Sequence, residues 1–123
     1  MGLIYKPITL IGTVGTRTLN ALMDTGASRC YIRDEEANLI AQPSKMPAPA
    51  KLRLGKGTTQ VEQMLVCDIE LDGYRVPWAF MVVPELTEEL ILGADFFQIL
   101  KIKLDPETEE IIIDPSALKI QLI

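Results

Sequence analysis

A mostly β domain with one or two short helices is the fold class this sequence predicts, and three observations predict it. Short apolar runs alternate with period two, as strands with one buried face do. Gly, Pro and Asp punctuate those runs where tight turns are needed. The chain is 123 residues long, the length of one domain with one core, so residues 1–123 are read as a single unit.

In chain order, an apolar run Leu19-Asn20-Ala21-Leu22-Met23 ends at Asp24 and reads as a buried strand. Asp34, Glu35 and Glu36 would complement the positive end of a helix dipole, which predicts a short helix near Asp34–Ala41. Gln42–Pro49 holds three prolines and reads as an extended surface loop. Met64–Leu71 sets apolar residues 65, 67, 69 and 71 against acidic 68 and 70 and predicts a half-buried strand. Asp72-Gly73 then reads as a two-residue hairpin turn. Val76–Val83 follows, where Pro77 disfavours a central strand position because proline has no N–H for the ladder. Trp78 beside it has two readings, core residue or subsite wall.

A second short helix is expected near Ala94–Leu100. Strict alternation in Leu100–Leu104 predicts a strand, turned at Pro106-Glu107-Thr108-Glu109 into Glu110–Asp114. The same alternation in Leu118–Leu122 makes Ala117–Ile123 strand-like. A faint internal duplication joins the two halves: an apolar run before Asp-Thr-Gly, and Leu90-Ile91-Leu92-Gly93-Ala94-Asp95 later.

Composition removes several function classes. Seventeen acidic against twelve basic residues give a net charge of −5, with no basic run, so nucleic acid is a poor partner. No apolar stretch approaches the ~20 residues a bilayer span requires, and Met1–Pro7 lacks the pattern of a signal peptide. The expectation is no membrane association and a cytoplasmic or intracellular location, or release from a polyprotein. Histidine is absent, which removes Ser-His-Asp triads, Cys-His dyads and histidine-based zinc sites together. Cys30 and Cys67 lie in apolar strand-like runs without metal-ligand spacing and are buried thiols or a pair. Acid–base chemistry near neutral pH is left to carboxylates or lysines.

One segment carries chemistry. Ala21-Leu22-Met23-Asp24-Thr25-Gly26-Ala27-Ser28 places an acid after a buried strand, then a hydroxyl, then a glycine. The plain reading is a turn in which Asp24 bonds its own backbone and Gly26 supplies a permissive φ. A second segment, Ile91-Leu92-Gly93-Ala94-Asp95-Phe96-Phe97, begins 67 positions after Asp24 and sets two aliphatic residues and a glycine before an apolar helix. Glycine there lets another backbone approach closely.

Together, in this order and separation, the two segments resemble the retropepsins, the aspartic proteases of retroviruses, retrotransposons and their cellular and bacterial relatives. Weaker likeness extends over most of Ile8–Asp114. The resemblance implies a closed β-barrel-like unit, an obligate homodimer, and Asp24 facing Asp24 of a second chain. The single Asp-Thr-Gly agrees, since a self-contained two-lobed enzyme would need two. It implies an aspartic endopeptidase: paired carboxylates share one proton, the ionised member activates a water, and the other donates to the scissile carbonyl oxygen. Peptide or protein is the substrate class, and neither cofactor nor metal is implied.

Further roles follow from the resemblance. Thr25 would bond across the dimer and keep the acids coplanar; substrate backbone would pass close to Gly26 and the small Ala27. Gly93 would pack beside this loop, supported by Ile91 and Leu92. Ser28-Arg29 departs from the two acids of many viral members. Asp95 reads either as a partner of Arg29 or as a solvated charge. A mobile flap is expected at Leu54, Gly55, Lys56, Gly57 and Thr58 within Leu52–Val61, against the alternative of an ordinary exposed hairpin. The thirty residues beyond Gly93 exceed the compact viral enzymes and are similar to longer cellular and bacterial members.

Two other classes compete. A non-catalytic dimerisation or peptide-binding module could keep the fold, although an intact Asp-Thr-Gly gives such a scaffold no advantage. A self-contained monomer pairing Asp24 with Asp95 or Asp68 lacks a second Asp followed by Thr/Ser-Gly.

Overall fold

The computed structural model describes residues 3–54 and 57–121. Strand β1 (Tyr5–Ile11) pairs antiparallel with β2 (Thr16–Met23) in continuous register from Tyr5↔Leu22 to Ile11↔Thr16. After a loop come β3 (Tyr31–Arg33) and helix α1 (Asp34–Ile40), whose first turn carries Asp34, Glu35 and Glu36. Three strands follow: β4 (Ser44–Leu54), β5 (Gly57–Leu71) and β6 (Tyr74–Val83). Then β7 (Leu90–Leu92) runs into α2 (Ala94–Ile99), and β8 (Lys103–Asp105), β9 (Glu110–Ile112) and α3 (Pro115–Gln121) complete the chain.

The main sheet runs β1-β2-β7-β3-β6-β5-β4, and β1 also pairs with β5 at Thr9↔Glu70, Leu10↔Ile69 and Ile11↔Asp68. That pairing closes six strands into a barrel and leaves β4 outside it. Closure buries alternate residues of β5, with Leu65, Cys67 and Ile69 enclosed around Leu10, Leu19, Phe80, Leu92 and Phe96. A second apolar cluster of Leu22, Tyr31, Val61, Val83, Leu86 and Ile91 lies under β4, packed by Leu52 and Met46. Asp72-Gly73 makes the expected two-residue turn: Leu71 pairs with Tyr74, and both turn residues have positive φ, 50° and 83°. Pro106–Glu109 likewise turns β8 into β9.

Four expectations are corrected. Gln42–Pro49 is not a free loop, because Ser44 and Lys45 already pair with Met64 and Gln63 in the edge strand β4. Between Lys45 and Ala50 five steps of β4 oppose two of β5, so Met46-Pro47-Ala48-Pro49 bulges out of register. The prolines sit where a bulge on an edge strand needs no ladder donor. Pro77 does lie in a central strand, β6, but β3 pairs only with residues 81–83 of it, so the Pro77 end borders β5 alone. Leu100–Leu104 is not one strand. Lys101 N–H donates to Gln98 O at 3.4 Å and Ile102 N–H to Phe97 O at 2.9 Å, with Lys101 at φ 52°. This cap ends α2 and leaves only 103–105 to β8.

Finally, 117–121 do not form a strand but lie in α3, which occupies Pro115–Gln121, while 122–123 of that expectation lie outside the described residues. Asp114 accepts the Ser116 N–H on its carboxylate at 3.0 Å, and its carbonyl accepts from Ala117 and Leu118. Acid cap plus proline at the first helical position is a stronger local signal than five alternating residues. Leu118 then enters the core, fully buried.

Candidate active site

Strands β2 and β3 are neighbours in sequence but not in the sheet, because β7 lies between them: Ala21–Met23 pairs parallel with Leu90–Leu92, and Tyr31–Ile32 pairs antiparallel with Leu90–Ile91. The connection 24–30 must therefore cross the C-terminal end of β7. It crosses at Gly93. A Cβ there would stand 2.7 Å from the Ala27 carbonyl oxygen and overlap that of Arg29, so glycine is the residue that fits. The crossing is tied by Ala94 N–H donating to Ala27 O at 2.6 Å and Asp24 N–H to Leu92 O at 2.9 Å.

Within this loop the Asp24 carboxylate accepts the Gly26 N–H at 3.0 Å, and Asp24 O accepts from Ala27 N–H at 3.1 Å. The turn chemistry is thus real, and it also aims one carboxylate oxygen while leaving the other available. Asp24 is half-buried; Thr25, Gly26 and Ser28 are exposed, and Ala27 is partly covered. Ile91 and Leu92 are buried, Ile91 in the cluster beneath β4 and Leu92 in the main core.

Two concavities meet at Asp24. One, of about 490 Å³, is lined by Asp24, Gly26, Ala27, Ser28, Tyr31, Leu52, Arg53 and Ile91. The other, about 540 Å³, is lined by Leu3, Ile4, Leu22, Met23, Asp24, Thr25, Leu104, Pro106 and Glu109. The first lies between the loop and the β4–β5 hairpin, in which Leu54 pairs with Gly57 and Arg53 with Thr58. Gly55 and Lys56 lie outside the described residues. Sequence reasoning missed Tyr31 and Arg53 as cleft residues and the β8–β9 turn as a wall near Thr25. The pairings that bring these segments to Asp24 have no local signature.

Behind the loop, Cys30 precedes β3 and is not itself in a strand. Its Sγ accepts from Gly93 N–H at 3.4 Å and donates to Asp95 Oδ1 at 3.2 Å, while Asp95 Oδ1 also accepts Phe96 N–H at 2.7 Å. Asp95 therefore holds the loop to α2 and does not pair with Arg29; the ion pairs among the described residues are Arg17–Glu36 and Arg75–Asp68. Burial pushes the Cys30 thiol up to about 12, with the Asp95 charge adding to it against the Gly93 N–H; burial does the same to Cys67, helped by Asp68. Both thiols are free and buried. Trp78 packs partly buried against the main core, edge-on to Phe96 at 6.1 Å between centroids. It also lines a smaller cavity, of about 240 Å³, with Arg29, Cys30 and Asp95. Among the described residues no group of three or more Cys, Asp or Glu side chains could hold a metal, and no helix is long and apolar enough to cross a membrane.

Residues 10–99 match the family described as "gag-polyprotein putative aspartyl protease". No curated protein matches the sequence. Among solved structures, the retroviral protease-like domain of Ddi1 from Leishmania major is similar with a TM-score of 0.65 and 19% identity, over 93% of this chain and 90% of that one. EIAV protease in complex with the inhibitor HBY-793 gives 0.61 and 22%, over 81% of this chain and 92% of that one. At these identities the likeness is one of fold.

Proposed function

Since the chain belongs to this retropepsin-like family of gag-polyprotein aspartyl proteases, we propose that it is an aspartic endopeptidase whose active site forms where two copies meet, each supplying Asp24. The observation that carries the reading is the placement of Asp24: a carboxylate oriented by the Gly26 N–H at 3.0 Å, on a loop braced by Gly93, at the mouth of an open cleft. One chain contributes one such acid. Asp68 is paired with Arg75, and Asp95 is turned to Cys30, so neither serves as its partner within the subunit. The exposed Thr25 and Gly26 beside it suit contact with a twofold copy.

Two carboxylates brought within a few ångströms share one proton, and aspartic proteases are themselves the standard example of that sharing. The ionised Asp24 takes a proton from a water as it attacks the peptide carbonyl carbon. The protonated Asp24 donates to the carbonyl oxygen; as the tetrahedral intermediate collapses, the proton taken from the water passes to the leaving amine and a hydroxyl proton of the intermediate returns to the other Asp24. Extended peptide would lie in the cleft with the β4–β5 hairpin as flap, excluding water from the reacting centre. Apolar side chains beside the cut would rest on Ala27, Tyr31, Leu52 and Ile91.

The test measures cleavage of a peptide library by the purified protein with and without pepstatin, beside Asp24→Asn, with sedimentation run on both. The expected result is cleavage by a dimer, lost by on the order of 10³-fold or more in Asp24→Asn. A well-folded dimer that binds peptides and cleaves none of them would instead establish a binding module. Full activity in a strict monomer would overturn the shared site.

A further inference from the structure

Among the described residues lining the cleft beside Asp24, Arg53, next to the end of β4, is the one other charge. Three of the other described arginines are engaged elsewhere: Arg17 with Glu36, Arg75 with Asp68, and Arg33 with the carbonyls of Leu86 and Thr87 at 2.8 and 2.6 Å. Arg29 lines the separate cavity that holds Asp95. Arg53 is exposed, makes no ion pair with any described residue, and shares its cleft with the Ser28 hydroxyl.

We infer that the cleft selects peptides with an acidic side chain close to the cleaved bond, its carboxylate held by the Arg53 guanidinium with Ser28 as a second donor. This rests on the peptidase reading of the cleft and specifies its substrate class. A guanidinium presents paired N–H donors matched to a carboxylate, so the contact rewards Glu or Asp over their amides. A lysine brought to the same place meets a like charge. The chain as a whole is acidic at −5, which weakly repels such peptides. Preference for an acid must then arise from this local contact and not from long-range steering.

Position follows from size. A cavity of about 490 Å³ is some 10 Å across if it is near-spherical, and an extended peptide advances ~3.3 Å per residue. With Asp24 and Arg53 both on its wall, the acid belongs about two or three residues from the cut. The residue next to the cut faces the apolar wall of Ala27, Tyr31, Leu52 and Ile91. A twofold dimer repeats the arrangement on the other side of the bond.

The experiment compares kcat/KM for matched peptides with an apolar pair at the cut and Glu, Gln or Lys two or three residues away, using wild type and Arg53→Glu. Wild type should favour Glu over Gln by about tenfold, with Lys poorest, and the margin should shrink as salt rises. Arg53→Glu should invert the Glu-to-Lys ratio. Equal rates for the three peptides, or a ratio unchanged in Arg53→Glu, would overturn the inference while leaving the peptidase reading intact. If wild type cuts none of these peptides, the peptidase reading is left to the library assay, and fluorescence anisotropy of the same peptides decides the contact: tighter binding of the Glu peptide that Arg53→Glu reverses upholds it, and equal binding overturns it.

Discussion

Replacing Gly93 by Ala separates a steric requirement from a conformational one. Gly93 has φ −101° and ψ −171°, a backbone conformation open to alanine, so no φ penalty arises. What arises is overlap with backbone: the new Cβ would lie 2.7 Å from Ala27 O and closer to Arg29 O. Carbon–oxygen contacts settle near 3.3 Å or more, so the loop must retreat by about 0.6 Å or more. Carbonyls cannot rotate away as a side-chain tip could. Ala27 O also accepts from Ala94 N–H at 2.6 Å, and that bond opens as the loop moves. Overpacking of about 1–3 kcal/mol plus a weakened hydrogen bond of about 1 kcal/mol gives a destabilisation of about 2–4 kcal/mol. At about 4 °C per kcal/mol for a domain of this size, the melting temperature should fall roughly 8–16 °C. Gly57→Ala is the control, since a Cβ there meets nothing within 4 Å, and it should be neutral or slightly stabilising. Cleavage by Gly93→Ala should fall about 10²-fold below the melting point, because the same loop carries Asp24. A Gly93→Ala protein melting within about 2 °C of wild type would refute the crossing geometry.

Three more outcomes are expected. The two thiols are pushed to about 12 in the folded chain against an ordinary 9.0, so the native state holds protons that the unfolded chain releases above about pH 9. Their contribution is complete below that pH and is lost as pH rises toward 12, by at most about 1.4 kcal/mol per pH unit per thiol. Urea midpoints at pH 7, 9.5 and 10.5 should fall more steeply for wild type than for a Cys30→Ser, Cys67→Ser double variant, and parallel slopes would contradict this. Leu118→Ala should cost about 2–5 kcal/mol and Asp114→Ala about 1 kcal/mol in chemical denaturation, because one empties a fully buried position and the other removes the cap of α3. Neutral behaviour of Leu118→Ala would mean that α3 does not dock. Shared-proton chemistry demands a bell-shaped kcat/KM profile between pH 3 and 8 with dimer content held constant, and a rate climbing steadily from pH 6 to 9 would argue against an Asp24 pair.

Local chemistry was legible in the residues themselves. The Asp72-Gly73 hairpin, the alternation of Met64–Leu71, the acidic start of α1, and the loop Asp24-Thr25-Gly26 announce themselves because each is decided by neighbours within a few positions. The tail misled for the same reason. Alternation in Leu118–Leu122 suits a strand by pattern alone, yet the Asp114-Pro115 cap and the pocket waiting for Leu118 favour a helix. Lys101 in a left-handed helix cap, where glycine is usual, hid the end of α2. The sequence by itself determined that one acid per chain stands at the end of a buried strand, with glycine in a later segment ready for a close approach. The family resemblance set Gly93 beside that loop, and tertiary structure decided how they meet: β7 inserts between β2 and β3, the loop crosses Gly93, and Tyr31, Leu52 and Arg53 come to share a cleft with Asp24. Those pairings join residues up to about seventy positions apart, and their register rests on which faces the closed barrel buries, a property of the whole sheet that no local window contains.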